Sequence, residues 1–341
     1  MTRLRQGSSA AGPVSAFLDG LMRVKRAPWL VISLWLSTLA LALPLSLALH
    51  TLIGDHLGSS MAAQSAAAGM NYDWWNEFLA QTSGVGRTFV PAILGFAAIL
   101  QNLSGVADAS GPPSPVVWVV AAQLLVWTFL MGGVLDRLAR DGAIGAAAFF
   151  GACGVYVFRF LRLAVVAGAV YALLFITVHR WLFDALYPRL LEDLTVERTA
   201  FAYRAGLYLV FGVLVVLANL VFDYAKIRAV VEDRRSMIGA LGAGLRFVRR
   251  NLGATVGLYT LNSLGFLAVL LLYYLSAPGA NANALAFAVG QLFIVLRVVV
   301  RLQFAASQTA LFQGRLAHAG YVARPVPKWP DSPAAEAIGP A

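Results

Sequence analysis

Six long apolar segments, separated by polar or turn-forming residues, dominate the pattern along the chain. The hydrocarbon core of a bilayer is about 30 Å thick, so a helix that crosses it needs about 20 apolar residues. The segments that meet this length cover about 29–52, 115–135, 160–182, 204–224, 253–276 and 284–305. The pattern therefore predicts an all-α fold: a polytopic membrane helix bundle with six transmembrane helices.

A shorter segment over 236–250 has the pattern of a basic amphipathic helix. At 100° per residue, its apolar side chains fall on one arc and its arginines on the opposite arc. The apolar set is Met237, Leu241, Leu245 and Val248, and the basic set is Arg235, Arg246, Arg249 and Arg250. Helices of this kind lie in the membrane interface with their arginines toward anionic headgroups.

The segment over 14–26 repeats this pattern near the N-terminus. Its string Gly20-Leu21-Met22-Arg23-Val24-Lys25-Arg26 aligns with Gly244-Leu245-Arg246-Phe247-Val248-Arg249-Arg250, and an apolar span follows each string. A weaker third copy lies over 143–158, where Gly154 aligns with the two glycines. We therefore predict a threefold parallel repeat of an inner amphipathic helix plus a transmembrane hairpin, about an axis along the membrane normal. Chance similarity in a sequence of low diversity is the alternative.

The long connection over 53–113 predicts a small helical periplasmic cap. Its apolar run over 88–103 is too short to span a bilayer. Trp74 and Trp75 share one helical face with Phe78, and tryptophan favours the headgroup layer. The two tryptophans therefore predict either a membrane anchor or an interface for a protein partner. The membrane domain covers 14–318, and we expect the ends, 1–13 and 319–341, to be disordered.

Composition excludes a soluble protein. The 341 residues are 60% hydrophobic and 12% charged, whereas a soluble domain carries about 25% charged residues. The net charge of +10 suggests nucleic acid at first, but 21 of the 26 basic residues fall on one side when both termini are placed inside. By the positive-inside rule both termini are cytoplasmic, and no nucleic-acid partner is needed. The arginine- and alanine-rich composition indicates a bacterial inner membrane.

Two strings in the second half carry a family resemblance. They are Phe222-Asp223-Tyr224-Ala225-Lys226-Ile227-Arg228 and Val248-Arg249-Arg250-Asn251-Leu252-Gly253. Over about 20–28 and 222–260 the chain resembles a group of largely uncharacterised bacterial six-span membrane proteins. That group includes the membrane portion found beside glycerophosphodiester phosphodiesterase domains. The resemblance implies a six-helix bundle without catalytic residues of its own, and no segment here is long enough for the phosphodiesterase barrel of about 250 residues.

Charged residues inside the last span are the strongest site candidates. Arg297 and Arg301 are spaced i and i+4, so they share a helix face. Arg297 lies about 20 Å from the outer end of its helix, and its Cα–Cβ bond leans away from the nearer surface. We therefore expect an internal partner, with Asp223 and Asp136 at compatible depths. The functional interpretation is an anion or headgroup site between spans; the structural one is a buried ion pair that fixes helix packing.

Two functions remain open on this basis. The first is a non-enzymatic scaffold, assembly or lipid-organising protein whose basic inner face binds membrane lipids or a partner. Its candidate contacts with anionic lipid are Lys25, Arg26, Arg235, Arg246, Arg249 and Arg250. The alternative is a transporter or permease component for a small or anionic solute, with Arg297 and Asp223 at the site. An intramembrane enzyme is a third class, but no nucleophile motif or metal-binding spacing supports it, and we expect no cofactor.

Overall fold

The computed structural model describes residues 12–58, 60–68, 71–90, 95–111, 114–192, 194–276 and 283–316, and it contains helices but no strands in these ranges. In chain order the helices are α1 (Pro13–Lys25), α2 (Pro28–Gly58), α3 (Ala63–Ala68), α4 (Tyr72–Gln81), α5 (Gly95–Ala107), α6 (Ser114–Arg140), α7 (Ala146–Ala172), α8 (Tyr187–Leu191), α9 (Glu197–Val231), α10 (Met237–Arg250), α11 (Leu252–Ser276) and α12 (Asn283–Arg315). Six of the described helical segments are long and apolar enough to cross a membrane. This confirms the prediction of an all-α protein with six candidate spans.

Helices α6, α9 and α12 contact one another and form the centre of the bundle. Their central faces bury large apolar side chains such as Leu135, Leu220 and Leu302, each at most 1% exposed. Outward faces of the spans are equally apolar but exposed, as Val165 (75%) and Leu209 (70%) show. A helix that is apolar on all sides suits a bilayer, because lipid covers the face that protein does not.

Three close helix crossings surround this centre. Helix α1 lies along α12, α10 along α9, and the first half of α7 along α6. A Cβ atom added to Gly20 of α1 would lie 2.7 Å from the backbone of Ser307, and one added to Gly244 of α10 would lie 3.1 Å from the backbone of Ala225. These two glycines therefore let the backbones approach more closely than a larger residue would allow.

Side chains at one end of the bundle join the elements that meet there, and we call this the basic end. Arg23 of α1 donates to the carbonyl of Leu138 at 2.9 Å and to Oε1 of Gln313 at 2.7 Å. Two aspartates, Asp141 and Asp233, follow the ends of α6 and α9 with positive φ angles of 46° and 47°. Among residues other than glycine, aspartate is one of the few types that adopts this conformation readily. The spans therefore end in the same way on two of the three central helices.

Helix α10 is amphipathic, and its packed face overlaps the predicted one in part: Met237 and Val248 are buried as predicted, but Leu245 is not. Its buried residues include Ala240, Ala243 and Gly244, whereas Leu245 is 45% exposed and Ile238 is 79% exposed. Hydrophobic periodicity alone places Leu245 on the inner face. The structure places it outside because the small residues form the contact with α9, and close backbone approach decides which face packs.

Helix α7 continues without a break where the sequence predicts a separate inner helix over 143–158. From Ala146 the chain runs through Ala172, passes through two π-helical segments and ends at Leu191. The first part of α7 uses Cys153 and Tyr156 to contact α6, and both are buried. The third copy of the predicted inner helix is thus fused to its span.

The segment between α2 and α6 is helical in its described parts and has its own small core. Trp74 is 4% exposed and Phe78 is 1% exposed. Nε1 of Trp74 donates to Nδ1 of His56 at 3.0 Å, and Nε1 of Trp75 donates to the carbonyl of Phe89 at 2.8 Å. The predicted disorder at the two ends falls largely on residues 1–11 and 317–341, which lie outside the described residues.

The crossing at Gly20 gives a prediction about stability. Gly20→Ala places a methyl group against the backbone of Ser307, which cannot move aside, so we expect the free energy of unfolding to fall by about 1–3 kcal/mol. Gly168→Ala is the matched control, because a Cβ there meets nothing within 4 Å. Alanine favours the helix over glycine, so the control should be as stable as the parent or more so. Unfolding midpoints in detergent measure both; equal midpoints for the two variants would contradict the close crossing.

Candidate functional site

A central cavity of about 340 Å³ lies between α6, α9 and α12, with α11 closing one side. This volume is within the range of small-ligand sites. The lining residues are Trp127, Met131, Leu135, Asn219, Asp223, Lys226, Ile227, Tyr259, Arg301, Phe304, Ala305 and Gln308. Apolar side chains form much of the wall, and the polar ones come from three different helices, α9, α11 and α12. The cavity is therefore built by the tertiary packing and not by one local motif.

Arg301 is the most unusual residue in this cavity. It lies about 27 Å along α12 from Asn283 and about 21 Å from Arg315, near the middle of the helix. The guanidinium carbon is 3.6 Å from the centroid of the Trp127 ring, an arginine–aromatic stack. Within the described ranges, no protein acceptor lies at hydrogen-bond distance from the Arg301 guanidinium. A charge at membrane depth without an acceptor needs water or a ligand to satisfy its N–H groups.

Asp223 has partners of its own on the opposite wall. Nζ of Lys226 lies 2.7 Å from Oδ1 of Asp223, and Nε2 of Gln308 donates to Oδ2 at 3.2 Å. The Asp223 and Lys226 side chains are 25% and 27% exposed. Together with Arg301, these side chains give the cavity two positive charges and one negative charge. The net charge at the cavity is therefore positive.

Asn219 and Tyr259 complete the polar part of the cavity, and Tyr171 contacts Asn219 from outside it. The Tyr171 hydroxyl donates to Oδ1 of Asn219 across a very short contact, and Nδ2 of Asn219 donates to the Tyr259 hydroxyl at 3.5 Å. Because Tyr259 accepts from Asn219, its own hydroxyl proton remains available to a ligand. The network thus fixes the position of one more donor at the cavity wall.

The structure brings only two of the four predicted intramembrane site residues together. Arg301 and Asp223 line the central cavity. Arg297 does not line it; its guanidinium lies 5.7 Å from the ring of Phe293, one turn farther along α12. Asp136 binds Arg140 through both carboxylate oxygens at 2.8 to 3.0 Å and borders a separate pocket. Residues spaced i and i+4 share a helix face, but the cavity extends along α12 from Arg301 toward Gln308, away from Arg297.

Lys226, Trp127, Tyr259 and Gln308 line the cavity but were not among the predicted site residues. Only Lys226 has a usable signal in the sequence, because it follows Asp223 by three residues and a helical pair at this spacing can interact. A lysine at the end of a span is also expected from the positive-inside rule alone. The sequence therefore does not distinguish a site residue from an orientation signal at Lys226. The other three come from helices whose packing a single sequence does not specify.

The predicted lipid contacts are mostly exposed. Arg246, Arg249 and Arg250 border one shallow surface pocket on α10. Lys25 and Arg235 are exposed as well. Arg26 is exposed too, with 55% of its side chain accessible, and its NH1 also lies 2.7 Å from Oδ2 of Asp141 in an ion pair at the basic end.

The two predicted interface tryptophans contribute to the core of the segment between α2 and α6. Trp74 is buried against His56 and Phe78, so its ring is not available to a partner or to headgroups. Trp75 is half-buried, and its indole N–H is already bonded to Phe89. The prediction of a surface anchor or interface is therefore wrong for Trp74. Tryptophans spaced to share a helix face are equally suited to a small local core.

Comparison with protein-family models, curated proteins and solved structures finds no match to this chain. The site is therefore interpreted from its own chemistry. It combines an arginine without a protein acceptor, a Lys–Asp pair, an amide–tyrosine network and an aromatic wall. Arginine with additional hydrogen-bond donors recognises carboxylate or phosphate oxygens.

Proposed function

We propose that this integral membrane protein binds an anionic group in the cavity between α6, α9 and α12, as the binding site of a carrier or permease component. The observation that carries the proposal is the Arg301 guanidinium, stacked on Trp127 with no protein acceptor among the described residues. Arg301 is exposed to the space beside it and is not enclosed by protein. A cation within an apolar span is costly unless water or a ligand satisfies it, so such a residue is a candidate ligand or ion site. A ligand anion supplies the missing acceptors and neutralises the net positive charge.

The stack on Trp127 supports anion binding by fixing the guanidinium plane. An arginine that lies flat on an aromatic ring keeps its N–H groups at the edge of the plane, where they can form two parallel hydrogen bonds to one oxyanion. Lys226 adds a second cation, although Asp223 already holds it at 2.7 Å. The expected ligand group is therefore a carboxylate, phosphate or similar oxyanion.

We also propose that the chain is a threefold repeat, with the cavity near its axis. The packing of α1 and α10 supports this. Gly20 and Gly244 are buried, Leu21 and Leu245 are exposed, and the remaining five aligned positions of the two strings share their burial class as well. The third copy aligns when Cys153, and not Gly154, is matched with Gly20 and Gly244. Cys153 is packed against α6, whereas a Cβ atom added to Gly154 would meet nothing within 4 Å.

Ion pairs at the helix ends support the same register. Arg26 pairs with Asp141 at 2.7 Å, and Arg159 pairs with Asp233 at 2.6 Å. Each arginine follows its packed inner-helix position, Gly20 or Cys153, by six residues. Each aspartate has a positive φ. In two of the three proposed repeat units, the same kind of ion pair therefore joins the inner helix to the second span of that unit.

The central helices align in this register too. Helix α6 meets its crossing helix at both Gly132 and Gly133, whereas α9 does so at Ala225 and α12 at Ser307. Six positions before Gly133, Ala225 and Ser307 are Trp127, Asn219 and Arg301, and all three line the cavity. The same structural position therefore holds a tryptophan, an asparagine and an arginine in the three proposed copies. Such variation at one position allows a repeat protein to form a polar site within an otherwise apolar bundle.

We place the basic end on the cytoplasmic side of a bacterial inner membrane, with both termini inside and the segment between α2 and α6 as the periplasmic cap. The exposed Lys25, Arg246, Arg249 and Arg250 on α1 and α10 support this orientation, since basic residues concentrate on the inner side. A non-enzymatic role stays a prediction.

A direct binding measurement tests the anion site. We expect sodium phosphate or a short-chain phosphatidic acid to raise the unfolding midpoint of the purified protein above that in sodium chloride of equal ionic strength, because a ligand of the folded state stabilises it by mass action. Arg301→Gln should remove the response. Arg297→Gln is the matched control, since Arg297 lies one turn away outside the cavity, and it should respond like the parent. Failure of both probes, or an equal response in Arg301→Gln, would overturn the proposal.

A second candidate function, lipid organisation, is favoured by the outer face of α10. Arg246, Arg249 and Arg250 are exposed there beside Leu245 and Ile238, which is the combination that an interfacial helix presents to anionic lipid. Each arginine near an anionic surface contributes about 1 kcal/mol.

The triple reversal Arg246→Glu, Arg249→Glu and Arg250→Glu should therefore reduce the amount of anionic lipid that co-purifies with the protein, measured by mass spectrometry. The control reverses three exposed arginines elsewhere, Arg180, Arg189 and Arg198, and changes the net charge equally. An equal loss of lipid in both variants would count against a specific role of α10.

A further inference from the structure

A second chamber adjoins the central cavity between α6, α7 and α9, with a volume of about 170 Å³. Five residues line both spaces: Trp127, Met131, Asn219, Asp223 and Lys226. The two spaces are therefore adjacent at these five residues, and we call the Asp223–Lys226 pair the junction. We call this second space the side chamber.

Away from this junction the side chamber is mostly apolar, with Thr128 and Tyr171 as its polar lining residues. Phe160, Leu163, Ala164 and Ala167 of α7 form one wall, and Phe222 of α9 forms part of another. The Tyr171 hydroxyl also borders it but is already bonded to Asn219. A ligand that enters the side chamber thus meets hydrocarbon and aromatic surface, while the same ligand meets charge at the junction.

We infer that the ligand is an anionic amphiphile, with its phosphate or carboxylate beside Arg301 and an alkyl chain in the side chamber. This inference rests on the proposed anion site and specifies its substrate class. A free inorganic anion would use only the central cavity and would leave the apolar side chamber to water. An alkyl chain fills it, and each pair of buried methylenes raises the affinity roughly tenfold.

The charges of the site also select the headgroup. A zwitterionic headgroup needs an acceptor for its ammonium as well as donors for its phosphate. Asp223 is the carboxylate at the junction, and it already binds Lys226 and Gln308. The site therefore offers free donors but no free carboxylate, and it favours an anionic headgroup over a zwitterionic one.

The depth and the opening of the site suit a membrane lipid. Arg301 lies six residues from Ser307, where α1 crosses α12, which is about 9 Å along the helix. The site is thus close to the level of the amphipathic helices, where headgroups meet acyl chains. Ala164 is exposed although it lines the side chamber, so the chamber is accessible from the α7 side of the protein. A lipid in the bilayer would reach it from that side.

Binding of three probes to the full-length protein in detergent tests this inference. The probes are inorganic phosphate, dihexanoyl phosphatidic acid and dihexanoyl phosphatidylcholine, and affinities come from ligand-dependent unfolding midpoints. We expect the phosphatidic acid to bind at least roughly tenfold more tightly than either phosphate or the phosphatidylcholine. Equal affinities for phosphate and phosphatidic acid would overturn the amphiphile and leave the anion site intact.

A pair of variants separates the two chambers. Ala164→Phe fills the side chamber, so it should weaken phosphatidic acid roughly tenfold or more and leave phosphate unchanged. Ala169→Phe makes the same substitution at an exposed position of α7 outside the chamber, and it should change neither. If the two variants behave alike, the side chamber does not hold the chain. If phosphate does not bind to the parent protein, or if it binds to Arg301→Gln as tightly as to the parent, the anion site itself is rejected.

A chain-length series on the parent protein keeps the test independent of folding in Ala164→Phe. Affinity should rise from methyl to butyl to hexyl phosphate as methylenes enter the side chamber, and then level off when it is full. An affinity that does not depend on chain length would overturn the inference.

Discussion

The Arg301 guanidinium, which has no hydrogen-bond acceptor among the described residues, is the feature on which the proposed site depends. Arg301 lies on the candidate span α12, about 9 Å along the helix from the crossing with α1. There the protein supplies an aromatic face but no hydrogen-bond acceptor among the described residues. Arginine at this depth is expensive unless its N–H groups are satisfied. An anion bound beside Arg301 would also contact the Lys226–Asp223 pair and the Tyr259 hydroxyl, which line the same cavity. As a purely structural element, Arg301 would have been expected to pair with Asp223.

The remainder of the bundle holds this arrangement in place. Crossings at Gly20 and Gly244 bring α1 and α10 against the central helices, and buried hydrogen bonds such as that from Arg23 to the Leu138 carbonyl join separate spans. Such contacts matter in a membrane, where lipid is as apolar as leucine and packing must come from close backbone approach and polar bonds. A rigid frame of this kind keeps a polar cavity open within an apolar bundle.

Sequence reasoning predicted the spans because bilayer thickness sets a length that hydrophobic runs either meet or do not. It also selected Arg301 and Asp223 as candidates, since charges inside apolar runs are conspicuous, and both line the cavity. It grouped Arg297 and Asp136 with them wrongly, because helical spacing gives a face and a depth but not the neighbour that the face meets. Leu245 and Trp74 show the same limit: small residues determined the packed side of α10, and a local core buried a tryptophan expected at the surface.

The central claim is that an anion, not a protein carboxylate, satisfies Arg301. An experimental density map of the protein, purified with phosphatidic acid, tests it most directly. The account predicts an oxygen-rich group within about 3 Å of the Arg301 guanidinium, continuous with a chain between α6, α7 and α9. An empty cavity with Arg301 bonded to Asp223 or to another protein acceptor would contradict it.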